Sequence, residues 1–255
     1  MQIYLAAGPS DAQEAARYRR PLAHQAYRIG PDSTLLRQNL LLGTQGGLLA
    51  ISDRDAPPVD RPEDLAAAAV RECGRRNYSG VLLELPQPPA ADRLALAAAL
   101  VKALAPRPLY VPESCGAVSG AVPLICTALS GGSFTGRLRE AAAAAGGADR
   151  LALDVERLRM DFTLPARSGE GQSLSGRELQ ELLDREAPAV FFSQDLCARY
   201  FTYTREGETH FVLFDDAGTL QQKLRTGGAM GFSAAFLLYP EVRDLLPKLF
   251  PVRRP

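Results

Sequence analysis

Five carboxylates stand where a carboxylate can act on a bound molecule. Glu84, Glu113, Asp154, Glu156 and Glu241 each fall at or near the C-terminal end of a segment patterned as a buried strand. In a barrel of parallel strands that end carries the catalytic groups. Two carboxylates flanking a sugar can serve as acid and as nucleophile or base, so Glu84 with Glu113, or Glu84 with Glu241, is a candidate hydrolytic pair. Solvation and loop hydrogen bonding also place charge at strand ends. Glu84 differs from the rest because it alternates with Gly80 and Leu82 on one strand face. A carboxylate turned inward needs a partner or a ligand, or else stays neutral. The two histidines, His24 and His210, fit neither a nucleophile triad nor an H-E-x-x-H spacing and read as structural. Gly43–Gly47 and Ser130–Gly132 lack the lysine spacing of a phosphate loop and read as turns. Asp53, Asp55 and Asp60, interrupted by Pro57 and Pro58, read as a solvated loop rather than a cation site. Cys73, Cys115, Cys126 and Cys197 are far apart without metal-type spacing, so reduced core thiols are expected, with no metal and no cofactor.

The elements that must hold these groups alternate strand and helix, the pattern of a parallel α/β fold. Strands are predicted over Gln2–Ala6, Ala23–Arg28, Gly47–Ser52, Gly80–Leu85, Leu109–Val111, Val122–Thr127, Arg150–Glu156 and Ala235–Tyr239. Helices are predicted over Arg61–Arg75, Asp92–Ala105, Phe134–Ala145, Ser175–Arg185 and Glu241–Phe250. Pro62 suits the first turn of the first of these and Gly74 suits its stop, while Ser175 with Glu178 forms a capping box. A hairpin is expected within about 198–216, turning at Arg205–Glu208. By alternation it sets Phe201 and Tyr203 on one face and Tyr200 and Thr202 on the other. One of those pairs should pack on the barrel and leave the other free. A chain of 255 residues suits a single barrel of about 250 residues, and 46 % hydrophobic residues suffice for its core. One domain over 1–255 is the expectation.

Tyr78-Ser79-Gly80-Val81-Leu82-Leu83-Glu84-Leu85-Pro86, followed by Pro89, Asp92 and Arg93, resembles the fourth barrel strand of glycoside hydrolase family 18, in its spore-cortex and cell-wall branch. Asp161–Pro165, Tyr200–Tyr203, His210–Asp216 and Lys223-Leu224 are similar to that family's motifs after strand seven. The resemblance implies a (β/α)8 TIM barrel with a small β-hairpin insertion before the last strand. It also implies that the four acidic positions of the family's DxxDxDxE signature fall on Ser79, Leu82, Glu84 and Pro86. The family's acid, which protonates the glycosidic oxygen, is therefore a proline. The strand-six pair that holds the substrate amide falls in Cys126–Leu129, and strand eight lacks its tryptophan; the chain has no tryptophan at all.

What the resemblance implies is a catalytically inactive barrel that binds N-acetylglucosamine-containing glycans or serves as a scaffold for a protein partner. Glu84, Tyr110, Tyr200, Phe201, Tyr203 and Tyr239 are the candidate ligand-binding residues. The alternative is an active glycosidase using the relocated carboxylates above. Zero net charge gives no reason to expect nucleic acid or an anionic membrane surface. The start, Met1–Leu5, reads directly as a strand, so neither signal peptide nor membrane span is expected and the location expected is cytoplasmic.

Overall fold

The computed structural model describes residues 1–38, 44–85, 88–165 and 171–251. Pro86 and Gly43 lie outside them. In chain order the strands are β1 (Gln2–Ala7), β2 (Leu22–Gly30), β3 (Thr34–Arg37), β4 (Leu48–Ser52), β5 (Val81–Glu84), β6 (Leu109–Pro112), β7 (Val122–Cys126), β8 (Ala152–Asp154), β9 (Arg159–Leu164), β10 (Gln172–Ser173), β11 (Phe191–Ser193), β12 (Ala198–Arg205), β13 (Glu208–Phe214) and β14 (Ala234–Leu238). The helices are α1 (Ala12–Ala15), α2 (Pro62–Arg76), α3 (Ala91–Leu104), α4 (Phe134–Ala145), α5 (Gly176–Glu186), α6 (Ala217–Met230), α7 (Tyr239–Val242) and α8 (Leu246–Leu249).

Eight parallel strands run β1, β2, β4, β5, β6, β7, β8, β14, and β14 pairs again with β1 to close the ring. This is the predicted (β/α)8 TIM barrel, with β5 as its fourth strand. Near-continuous apolar runs suit strands buried on both faces. Val81 and Leu83 pack outward under the helices, whereas Leu82 enters the interior with Tyr4, Tyr110 and Phe236. Tyr4 stacks on Phe236 at 5.2 Å and Tyr110 meets it edge-on at 4.9 Å, so three rings fill the barrel's centre. Gly80 opens the strand because a Cβ there would meet the Pro108 carbonyl oxygen at 2.6 Å. At Gly47, φ +76°, a Cβ would meet the Leu22 carbonyl oxygen at 2.1 Å.

Between barrel strands seven and eight the chain builds a second sheet, antiparallel in the order β10-β9-β13-β12-β11, with α5 on one face. The expected hairpin is its β12–β13 pair. Asp161–Pro165, for which no strand is predicted, is largely strand β9: Asp161, Phe162 and Thr163 pair with Val212, Phe211 and His210. Phe201 and Tyr203 do share a buried face, but α5 covers them through Leu179 and Leu182, not the barrel. The α5 capping box forms as read, with Ser175 and Glu178 satisfying each other's backbone N–H.

Other readings need correction. Helix α2 runs through Gly74 and ends at Arg76, where Asn77 adopts the left-handed conformation that the stop requires. The closing helix Glu241–Phe250 is two short helices. Tyr239 starts the first of them rather than ending the last strand. Asp53 is buried, not solvated; its carboxylate accepts from Arg93 Nε at 2.6 Å, and Arg93 also donates to the Pro57 carbonyl. All four cysteines are free. No helix among the described residues is long and apolar enough to cross a membrane.

Candidate functional site

A cavity of about 660 Å3 opens at the C-terminal ends of the barrel strands, the face where α/β barrels keep their sites. Its floor is Phe236 and Leu82, the top of the ring-filled interior, so the mouth is open above an aromatic plug. Strand alternation brings Glu84 from β5, Cys126 from β7 and Asp154 from β8 to this floor. Cys126 lies opposite Asp154 in the parallel pairing, and Glu156 follows two residues on.

Glu84 faces inward, as its strand position requires. It accepts a hydrogen bond from Gln25 Nε2 at 2.5 Å, and burial pushes its carboxyl above the usual range against that bond and the more distant Arg54. Asp154 is pushed up to about 7, first by burial and then by the charges of Glu156 and Glu84. The Cys126 thiol donates to Glu156 at 3.5 Å and is pushed up to about 12 by burial and by that carboxylate, so it is not a nucleophile near neutrality. The site can therefore present Asp154 as a hydrogen-bond donor below neutrality and as an anion above it.

Glu113 and Glu241 also line the cavity, but each is already matched. Arg137 bonds Glu113 through both carboxylate oxygens, and Arg159 bonds Glu241. Neither is free to act as partner to Glu84 without breaking an ion pair. Sequence reasoning placed Asp154 and Glu156 at strand ends without preferring them. The signal that separates them from Glu113 and Glu241 is the position of arginines far away in sequence.

The aromatic candidates lie elsewhere. Tyr110 is part of the plug, 6 % exposed, and burial raises its hydroxyl. Tyr239, the first residue of α7, is 1 % exposed in the core, and its hydroxyl is pushed up to about 12 by burial and by Glu14. Phe201 and Tyr203 are under α5; Tyr203 donates to Asp161 at 2.7 Å and stacks on His210, whose Nδ1 lies 3.0 Å from the same carboxylate. Tyr200 is half-buried between Phe191 and Phe211 on the other sheet face. Of the six proposed ligand contacts, only Glu84 lines the cavity.

Several residues that carry the sequence resemblance hold the frame. Tyr78 is buried in a network where the Tyr27 hydroxyl lies 3.1 Å from its own and donates to Glu72, which also receives Arg76. Ser79 donates to the Gly47 carbonyl. Asp215 and Lys223 meet in a fully buried ion pair at 2.7 Å, with Thr219 and the Leu158 amide also donating to Asp215.

No protein-family model matches the sequence, and comparison with curated proteins yields no match. Solved structures do match. A chitinase from Chromobacterium violaceum ATCC 12472 superposes with a TM-score of 0.69 at 14 % identity over 99 % of both chains. The spore cortex-lytic enzyme SleL of Bacillus megaterium QM B1551 gives 0.64 at 16 % identity, over 98 % of this chain and 74 % of that one. A family GH18 chitinase from Cycas revoluta, solved with (GlcNAc)3, gives 0.65 at 13 % identity over 98 % of both. The fold is thus the barrel that these three structures share.

Proposed function

We propose that this barrel binds N-acetylglucosamine-containing glycans at its mouth and does not hydrolyse them. The observation that carries the reading is the state of strand four. Of its acidic positions Leu82 is part of the apolar interior, Ser79 is a hydroxyl bonded to backbone, and only Glu84 is a carboxylate. The position of the proton donor is Pro86, which has no proton to give. Support for a glycan ligand comes from the shared fold and from the neighbour solved with (GlcNAc)3. An open, partly polar cavity remains at the place where such a ligand would lie.

The second reading is hydrolysis through relocated carboxylates. It is favoured by Asp154, whose raised value suits a general acid working near neutrality. In its original form, with Glu113 or Glu241 as partner to Glu84, it is disfavoured by the arginines bound to both. Purified protein incubated with fluorogenic N-acetylglucosamine oligomers from pH 5 to 8 decides between the two. Turnover no faster than buffer is expected, since positioned acid–base groups contribute about 10²–10⁴-fold and strand four has lost its donor. Turnover abolished by Glu84→Gln or by Asp154→Asn would establish the second reading instead.

A further inference from the structure

The floor and the rim of the mouth are charged differently. On the rim each carboxylate has its own guanidinium: Glu113 with Arg137, Glu241 with Arg159. Arg157 is likewise taken, by Asp244 and by the Glu241 carbonyl. On the floor Glu84, Asp154 and Glu156 are in no ion pair among the described residues, and their protein partners there are the Gln25 amide and the Cys126 thiol. They feel one another's charge, yet among the described residues no three His, Cys, Asp or Glu side chains converge closely enough to hold a metal ion. The unmet charge is therefore spread over a surface rather than focused on a point. It sits in a cavity of molecular size, above the apolar faces of Phe236 and Leu82.

We propose that the mouth selects amine-bearing sugars, glucosamine units whose 2-amino group is a free ammonium, over their N-acetylated counterparts. The inference rests on the glycan reading above and narrows it. An ammonium brings a positive charge and three N–H donors to a floor whose three carboxylates have no cation of their own among the described residues. The sugar ring supplies apolar C–H surface for Phe236 and Leu82, and its hydroxyls reach the polar rim. An acetamide in the same place offers one N–H and no charge, and leaves the carboxylates without a cation.

Calorimetric titration of the full chain at pH 7.5 and low salt tests this with three probes: the glucosamine trimer, the N-acetylglucosamine trimer and 1,5-diaminopentane. The glucosamine trimer is expected to bind about tenfold tighter than the acetylated one, the effect of one partly screened ion pair. Asp154→Asn and Glu156→Gln are each expected to shrink that ratio. Glu156 is exposed, so its variant keeps the fold even if the Asp154 variant does not. Equal or tighter binding of the acetylated trimer overturns the amine preference and leaves the glycan reading standing. Failure of both trimers at millimolar concentration overturns both. A diamine as tight as the glucosamine trimer removes the sugar from the ligand class. A ratio unchanged in a folded Glu156→Gln protein, and in Asp154→Asn where it folds, removes the floor carboxylates as its cause.

Discussion

Asp154 is the side chain whose protonation most changes what the mouth can do. Its carboxyl faces Glu156 on its own segment, Glu84 from β5 and the Cys126 thiol from β7, and burial plus those two carboxylates raise it to about 7. The folded state therefore keeps a proton that the unfolded chain, at the ordinary aspartate value, has already lost. Stability contributed through this group is present at low pH. It declines as pH rises from about 4 through 7 and changes no further above that. Carboxyl carbon shifts followed by NMR are expected to show one aspartate titrating near 7, and Glu156→Gln is expected to move that midpoint down. An aspartate midpoint near 4 for Asp154 would remove the donor role assigned to it. How far this residue was legible in the sequence depends on range. The inward turn of Glu84 follows from a two-residue repeat and was readable. That Asp154 has no counter-ion while Glu113 has Arg137 depends on elements 24 residues apart or more, and no local pattern carries it.

Among the elements the sequence concealed, β9 and α6 are the two that bear on the frame of the site. Segment Asp161–Leu164 alternates as a strand should, but it ends in Leu164-Pro165 and is followed by glycines, which read as a turn. Helix α6 carries Gly218, Gly227 and Gly228, which dilute its apolar repeat. Its N-terminus is closed by Asp216 and Thr219 rather than the usual Ser or Thr with Glu. The motif residues Asp215 and Lys223 were visible as a pattern without a role. The structure gives them one: the carboxylate at the end of β13 and the ammonium on α6 form a pair with no solvent exposure. The pair ties the antiparallel sheet to the barrel, because Lys223 belongs to α6, whose Leu220 and Leu224 pack with Leu5, Leu153 and Leu237 of the ring; Asp215 also receives the Leu158 amide just before β9. Lys223→Met keeps the volume and removes the charge, leaving Asp215 buried without its cation. A loss of roughly 3–5 kcal/mol is expected from breaking one side of such a pair, read as a lower urea midpoint. A loss under about 1 kcal/mol, the scale of an exposed pair, would mean that the two charges are solvated in solution.

At the scale of the whole molecule, the resemblance foretold the ring, yet local patterning alone could not have distinguished a closed barrel from an open doubly wound sheet. Both use the same alternation of buried strands and helices. What decides closure is the pairing of the first strand with the last. Here β1 is hydrogen-bonded on both sides, Leu5 beside Leu22 of β2 and beside Leu237 of β14, with Tyr4 reaching in to stack on Phe236. Eight strands leave no unpaired edge within the ring. Deleting residues 2–7 would expose the edges of β2 and β14 together and withdraw Tyr4 from the plug that floors the mouth. Because the chain has no tryptophan, unfolding has to be followed by far-ultraviolet circular dichroism or tyrosine fluorescence. The intact chain is expected to melt in one cooperative transition and the deletion variant to show no cooperative melt and to associate through its open edges. The deletion acts on the ring and Lys223→Met on the tie between ring and insertion, so the two outcomes are separable. A deletion variant that melts cooperatively as a monomer would mean that the remaining seven strands are stable as an open sheet, and that closure at β1 is not what holds the barrel together.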